Sequence, residues 1–258
     1  MINKYSAGLI IGLLVLLQSA MVLAEQAKYR GKVLKVNGDV EVVDETGEKR
    51  IIDKADEPVN EMDTIVTRKG ARVVVQFDDG VLSVLDEKSR LRVEKTSWFS
   101  YLGGKVYFTF NKVFGEARQV KTRAATIGIR GTTFIISENR EQNGESVALK
   151  EGMLLIQSTG PAFEIHKKII TDAFEQYSQE RQKSRLELQH EFDQYKQQAM
   201  HEFVEYRRNF TLQPNRVINL SGYRVDETEM TTANETDFEA FEAEDLIKKF
   251  REEVEKVK

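Results

Sequence analysis

Cysteine is absent from the 258 residues of this chain. That removes disulfide staples, thiol nucleophiles and thiolate metal sites together, and argues against a small stapled scaffold. Histidine is scarce: His166, His190 and His201 are the three present, in one polar stretch far from any Gly-x-Ser-x-Gly elbow. A Ser–His–carboxylate hydrolase site therefore finds no sequence support. On a helix, His190 and His201 would stand about 16 Å apart along the axis, too far to share a metal; all three read as solvated helix residues. No Walker loop, GxGxxG or HExxH occurs, and Asp78-Asp79-Gly80 lacks the further oxygen ligands of an EF-hand. Excess charge is missing too. A formal net charge of −4 gives a polyanion ligand no support, and nucleic acid is disfavoured. The chain is expected to be no enzyme, with no catalytic, metal-binding or cofactor-binding residue and no cofactor.

Before residue 25, Lys4 is the only charge, and an apolar run from Ala7 to Leu17 closes on Val22-Leu23-Ala24. That is the pattern of a secretory signal peptide over 1–24. Gln18 and Ser19 interrupt the apolar run, which favours cleavage over an uncleaved inner-membrane anchor, although Ala7 to Ala24 reaches spanning length. A periplasmic location follows as the expectation. Without Lys4 the net charge becomes −5.

From Lys28 to about Gly160 short β-branched runs recur every eight to ten residues, separated by Asn37-Gly38, Thr46-Gly47, Asp79-Gly80 and Asn143-Gly144. Such spacing predicts an all-β sandwich, barrel or β-solenoid, with Asn37-Gly38 marking a hairpin. Glycines at Gly128 and Gly131 bracket Ile129 and Arg130 inside V-K-T-R-A-A-T-I-G-I-R-G-T-T-F, residues 120–134. A glycine within a strand marks a bulge, a tight bend or close backbone approach. Lys121, Arg123 and Arg130 form a basic cluster beside them, suited either to gripping an anionic group or, for Arg130, to an ion pair inside the fold. Trp98, Phe99 and Tyr101 sit in K-T-S-W-F-S-Y, as a ligand or partner surface or as rings folded onto the sheet.

From Ala162 to Phe210 there is neither proline nor glycine, and Gln, Glu, Lys and Arg abound. Phe174, Tyr177, Leu188, Phe192, Tyr195, Ala199, Phe203, Tyr206 and Phe210 recur at three- and four-residue spacing, which predicts a long amphipathic helix over 161–210. Fully helical, it would extend about 70 Å, so it breaks, lies along the β module or pairs with another helix in a coiled-coil-like homo-oligomer. The polar stripe at Arg181 to Arg185 argues against a leucine-type zipper. Residues 211–258 read as a linker, an acidic segment and a short terminal helix. Asp226 to Asp245 holds nine acidic residues and no basic one, which predicts a mobile tether. Thr236 with Glu239 fits a capping box before the final helix.

The order G-I-R-G-T (Gly128, Ile129, Arg130, Gly131, Thr132), then F-I-I-S, the Asn143-Gly144 turn and S-V-A-L-K-E-G-M-L-L-I-Q resembles the signature of the FecR domain. The stretch T-R-K-G-A-R-V-V-V-Q-F-D-D-G-V-L-S-V-L-D-E-K-S-R-L-R-V resembles that domain's core, with Asp79, Gly80 and Ser89 at matching positions. The resemblance implies a mainly β FecR-like module over 25–160, extracytoplasmic, that contacts partner proteins in envelope signalling. Only about six residues precede the apolar run, so no cytoplasmic anti-sigma segment is expected. The expected function is a free-standing, non-enzymatic binding or scaffolding module whose partner is an envelope or inner-membrane protein. The alternatives are a cell-wall or glycan-binding protein using Trp98, Phe99 and Tyr101, or a structural oligomer built through 162–210.

Overall fold

The computed structural model describes residues 28–78, 80–95, 98–110, 118–140, 142–167 and 203–256. Among the described residues eighteen strands form one hydrogen-bonded network that folds on itself into two leaves. Leaf one runs β4 (Pro58–Asn60), β1 (Tyr29–Asn37), β6 (Arg72–Phe77), β7 (Val81–Leu85), β10 (Lys105–Phe110), β12 (Ala125–Asn139), β13 (Gly144–Ser158), β17 (Arg216–Ser221), β18 (Arg224–Glu229), β14 (Phe163–Lys167) and β15 (Phe203–Arg207). Leaf two runs β3 (Lys49–Ile52), β2 (Val40–Val43), β5 (Thr64–Thr67), β8 (Arg90–Val93), β9 (Phe99–Gly103), β11 (Arg118–Lys121), then β12 and β13 again, and β16 (Asn209–Leu212).

The 15-residue strands β12 and β13 belong to both leaves. Thr126 to Ile129 pairs with β11 in leaf two, whereas Thr133 to Ser137 pairs with β10 in leaf one. Likewise Glu145 to Leu149 pairs with β17, and Leu154 to Gln157 with β16. One long hairpin is thus the seam of the fold. The inner faces of both leaves share one core, with Phe77, Phe99, Phe108 and Phe134 at successive centroid distances of 4.6, 5.6 and 5.1 Å. Ring pairs at such separations add about 0.5–1.5 kcal/mol each beyond the area they bury.

The leaves differ on their outer faces. Leaf-two strands alternate buried and open positions, as in β2 and β5, so only one side is covered. Leaf-one strands such as V-L-S-V-L of β7 are buried at every position, because their outer side is covered as well. The cover is α1 (Thr232–Glu242) and α2 (Asp245–Lys256). Phe238, Phe241, Ile247 and Phe250 pack on Val74, Leu82, Val84, Tyr107, Ile135, Ala148 and Val217. Tyr107 stacks on Phe241 at 5.4 Å, and Arg72 and Lys150 lie over Phe241 and Phe238.

Several expectations are corrected. The segment 161–210 is no long helix: its described ends are strands, β14, β15 and the start of β16. Residues 168–202 lie outside the described residues, and the coiled-coil reading loses its basis. Lys167 and Phe203 close an antiparallel pair, so tertiary pairing overrides helix propensity at both ends. The acidic segment is no mobile tether either. It forms β18 and α1, and its carboxylates meet cations from distant strands: Lys105–Asp237 at 2.7 Å, Lys150–Glu242 at 2.6 Å, Lys35–Glu244 at 2.7 Å. Helix α1 is capped by Thr231 with Asn234 rather than by Thr236 with Glu239. Asn37-Gly38 makes no hairpin, since β1 and β2 do not pair. It turns the chain from leaf one into leaf two, with Gly38 at φ +75° against Ala71.

Candidate functional site

The G-I-R-G-T motif lies where the long hairpin passes from one leaf to the other. Register against β13 shifts between Arg130 and Thr133, and again before Phe134. Gly131 has φ +59° and Gly152, across the hairpin, φ +86°. A methyl group on Gly152 would lie 2.3 Å from the Gly131 carbonyl oxygen and 2.7 Å from Thr132 Cγ2. Two left-handed glycines in contact therefore make the bulge that creases the seam. Ile129 packs on the shared core and Thr132 is buried. Gly131 thus marks the bulge that its place inside a strand predicts.

Arg130 points the other way. It is exposed on the outer face of leaf two and forms no ion pair among the described residues, contrary to the expectation of a structural pair inside the fold. Strand alternation puts Lys121, Thr126, Gly128, Arg130, Met153 and Leu155 on this same face. Arg92 of β8 joins it across Ser100 of β9, with Arg90 opposite Gly103 and Glu94 on the same side of β8. Met153 and Leu155 are each 48% exposed, an uncommon state for apolar side chains in a central strand.

The other predicted site residues lie elsewhere. Phe99 and Tyr101 are buried in the shared core, so the three aromatics present no exposed platform. Trp98 packs at the edge of that core under the guanidinium groups of Arg118 and Arg30, at 5.2 and 5.5 Å from the ring centroid. The Tyr101 hydroxyl donates to the Gly104 carbonyl at 2.7 Å, and burial holds its pKa far above the ordinary phenol range. Arg123 is separated from Lys121 and Arg130. It sits in the β11–β12 turn, where its Nε lies 3.5 Å from the buried Glu145 carboxylate, beside a cleft of about 510 Å³ lined by Asn143, Ser221 and Tyr223.

Ser89 has a structural task. Its hydroxyl donates to the Lys105 carbonyl and accepts from the Lys105 N–H, both at 2.9 Å, tying β8 to β10. Asp79 lies outside the described residues. His166 is a buried strand residue, 2.7 Å from Glu164 Oε1, rather than a solvated helix residue. His190 and His201 lie outside the described residues. Sequence reasoning missed Gly152, Met153 and Leu155. Met153 and Leu155 stand inside the run M-L-L-I, which reads as uniformly core, and only the register of β13 turns alternate members outward.

The fold around the motif is thus a two-leaf β-sheet module with a creased central hairpin. Residues 63–155, from just before β5 into β13, match the family model described as FecR protein. Among solved structures, two crystal structures of a "putative anti-sigma factor" from Parabacteroides distasonis ATCC 8503 are similar at 15% identity. They cover 68% and 67% of this chain and 63% and 62% of their own, with TM-scores of 0.44 and 0.43. The chain thus spans less than two thirds of those structures. A "Cell surface anchoring domain" is similar at 26% identity over 25% of this chain and 84% of its own, with a TM-score of 0.24. At these scores the structural likenesses carry no weight for fold or role. No curated protein matches the chain.

Proposed function

We propose that this chain is a non-enzymatic, extracytoplasmic module that binds or scaffolds another envelope protein in signalling. The observation that carries the reading is the FecR match over 63–155, which spans the creased seam and much of the sheet face that α1 and α2 leave open. The secretory pattern of residues 1–24 supports a periplasmic setting. An envelope or inner-membrane protein is the partner class that suits it.

The test is a photo-cross-linking scan in the native cell, with a photoreactive residue in place of Ile51, Leu155 or Tyr206 in turn, each exposed. A discrete adduct with an envelope protein, from the periplasmic fraction, is the expected outcome. Cytoplasmic retention of the chain, or no adduct from any of the three positions, would remove the reading.

A further inference from the structure

The two glycines of the G-I-R-G-T motif are not equivalent. Gly131 needs its left-handed backbone and faces Gly152 across the crease. Gly128 needs neither freedom nor space. It is absent from the positive-φ glycines, and a Cβ built on it would meet Leu155 Cβ at 3.5 Å, an ordinary van der Waals contact. A side chain would fit there, and strand interiors favour one over glycine. Fold construction therefore does not account for the missing side chain. The remaining physical reason for glycine in a strand is that something outside the sheet comes close to the backbone.

What surrounds Gly128 defines that visitor. Leu155 lies beside it and Met153 beyond, both half open to solvent. Arg130 follows on the same strand, and Lys121 lies on β11. Arg92 and Arg90 stand two strands further, about 10 Å from β11 at 4.7–4.9 Å per strand. No ion pair joins any of these four cations to a described carboxylate; Glu94 nearby is engaged by the Ser100 hydroxyl at 2.6 Å. On the opposite leaf, by contrast, Lys35, Arg72, Lys105 and Lys150 are neutralised by the acidic C-terminal segment. Among the described residues this face of an overall acidic chain is thus predominantly cationic, four cations against the Glu94 carboxylate, and apolar at its centre.

We infer that this outer face of leaf two, centred on Gly128, is the docking surface for an acidic, extended segment of a partner protein. Apolar side chains of that segment settle over Gly128 between Leu155 and Met153. Its carboxylates meet Lys121, Arg130 and the β8 arginines. Charge complementarity of this kind sets partner choice and association rate, while the apolar centre supplies most of the contact energy. The inference rests on the protein-binding reading above and names its surface.

The test measures fluorescence anisotropy of a short labelled peptide of alternating Glu and Phe against the full chain. The same peptide with Lys for Glu, and phosphatidylglycerol vesicles, serve as comparisons. Saturable binding of the acidic peptide alone is expected, weakened roughly tenfold or more by Gly128→Val and by the pair Lys121→Glu and Arg130→Glu. Thermal midpoints of these variants should stay near the parent's, since none touches the core. Unchanged affinity in both variants, no binding of the acidic peptide, or vesicle binding in its place would overturn the inference. If photo-cross-linking still yields an envelope-protein adduct in that event, the module reading stands and only this face is wrong.

Discussion

Replacing Gly152 by alanine is expected to lower the thermal midpoint by roughly 5–15 °C. The residue holds φ +86°, and the new methyl would press on the Gly131 carbonyl oxygen at 2.3 Å. A left-handed backbone costs a non-glycine residue about 1–2 kcal/mol, and overpacking against backbone adds about 1–3 kcal/mol. For a chain of this size each kcal/mol moves the midpoint by roughly 2–4 °C. Gly70→Ala is the internal comparison, because Gly70 has φ +71° and nothing within 4 Å of its built Cβ. Its loss should show the backbone penalty alone. Equal shifts for the two variants would mean that the crease does not depend on glycine-to-glycine contact.

The second large effect is expected at Phe241. This ring is 1% exposed, stacks on Tyr107 and lies under the Arg72 guanidinium at 5.2 Å. Phe241→Ala should cost about 3–5 kcal/mol in denaturant unfolding, as buried phenylalanine truncations do. It should also open the outer face of leaf one, so that a hydrophobic dye which ignores the parent binds the variant. Helix α1 has little reason to stay folded alone, since isolated helices shorter than about 12–15 residues are marginal in water. A loss under about 1 kcal/mol with no dye binding would mean that α1 and α2 do not seal leaf one.

Much of the β architecture is legible in the residues. Thr46-Gly47 and Asn143-Gly144 do close paired strands, and Gly131 does mark a bulge. Other features are hidden for identifiable reasons. Residues such as Phe163 to Lys167 and Phe203 to Arg207 are composed like helix, and only their pairing with each other and with β18 makes them strands. The acidic stretch looks unpartnered because Lys35, Arg72, Lys105 and Lys150 are scattered through the first 150 residues and converge only on the folded sheet. Trp98, Phe99 and Tyr101 look like a surface cluster in a line of text. Period-two alternation sends Phe99 and Tyr101 inward, and Trp98 is met by two arginines. The candidate face itself was only half legible: Lys121, Gly128 and Arg130 stand close in sequence, but β8 and the outward members of β13 join them through register alone.

Since the chain has no cysteine, single substitutions report on one position each. Ala148 and Leu155 lie on the same strand, β13, on the outer faces of opposite leaves; Ala148 is 5% exposed beneath α1 and α2, and Leu155 is 48% exposed. Maleimide labelling of Leu155→Cys and Ala148→Cys in the folded full chain compares the open face with the sealed one. Leu155→Cys should react many times faster and be slowed by the acidic peptide, with Ala148→Cys almost inert. Comparable rates at the two positions, or faster reaction at Ala148→Cys, would contradict the account.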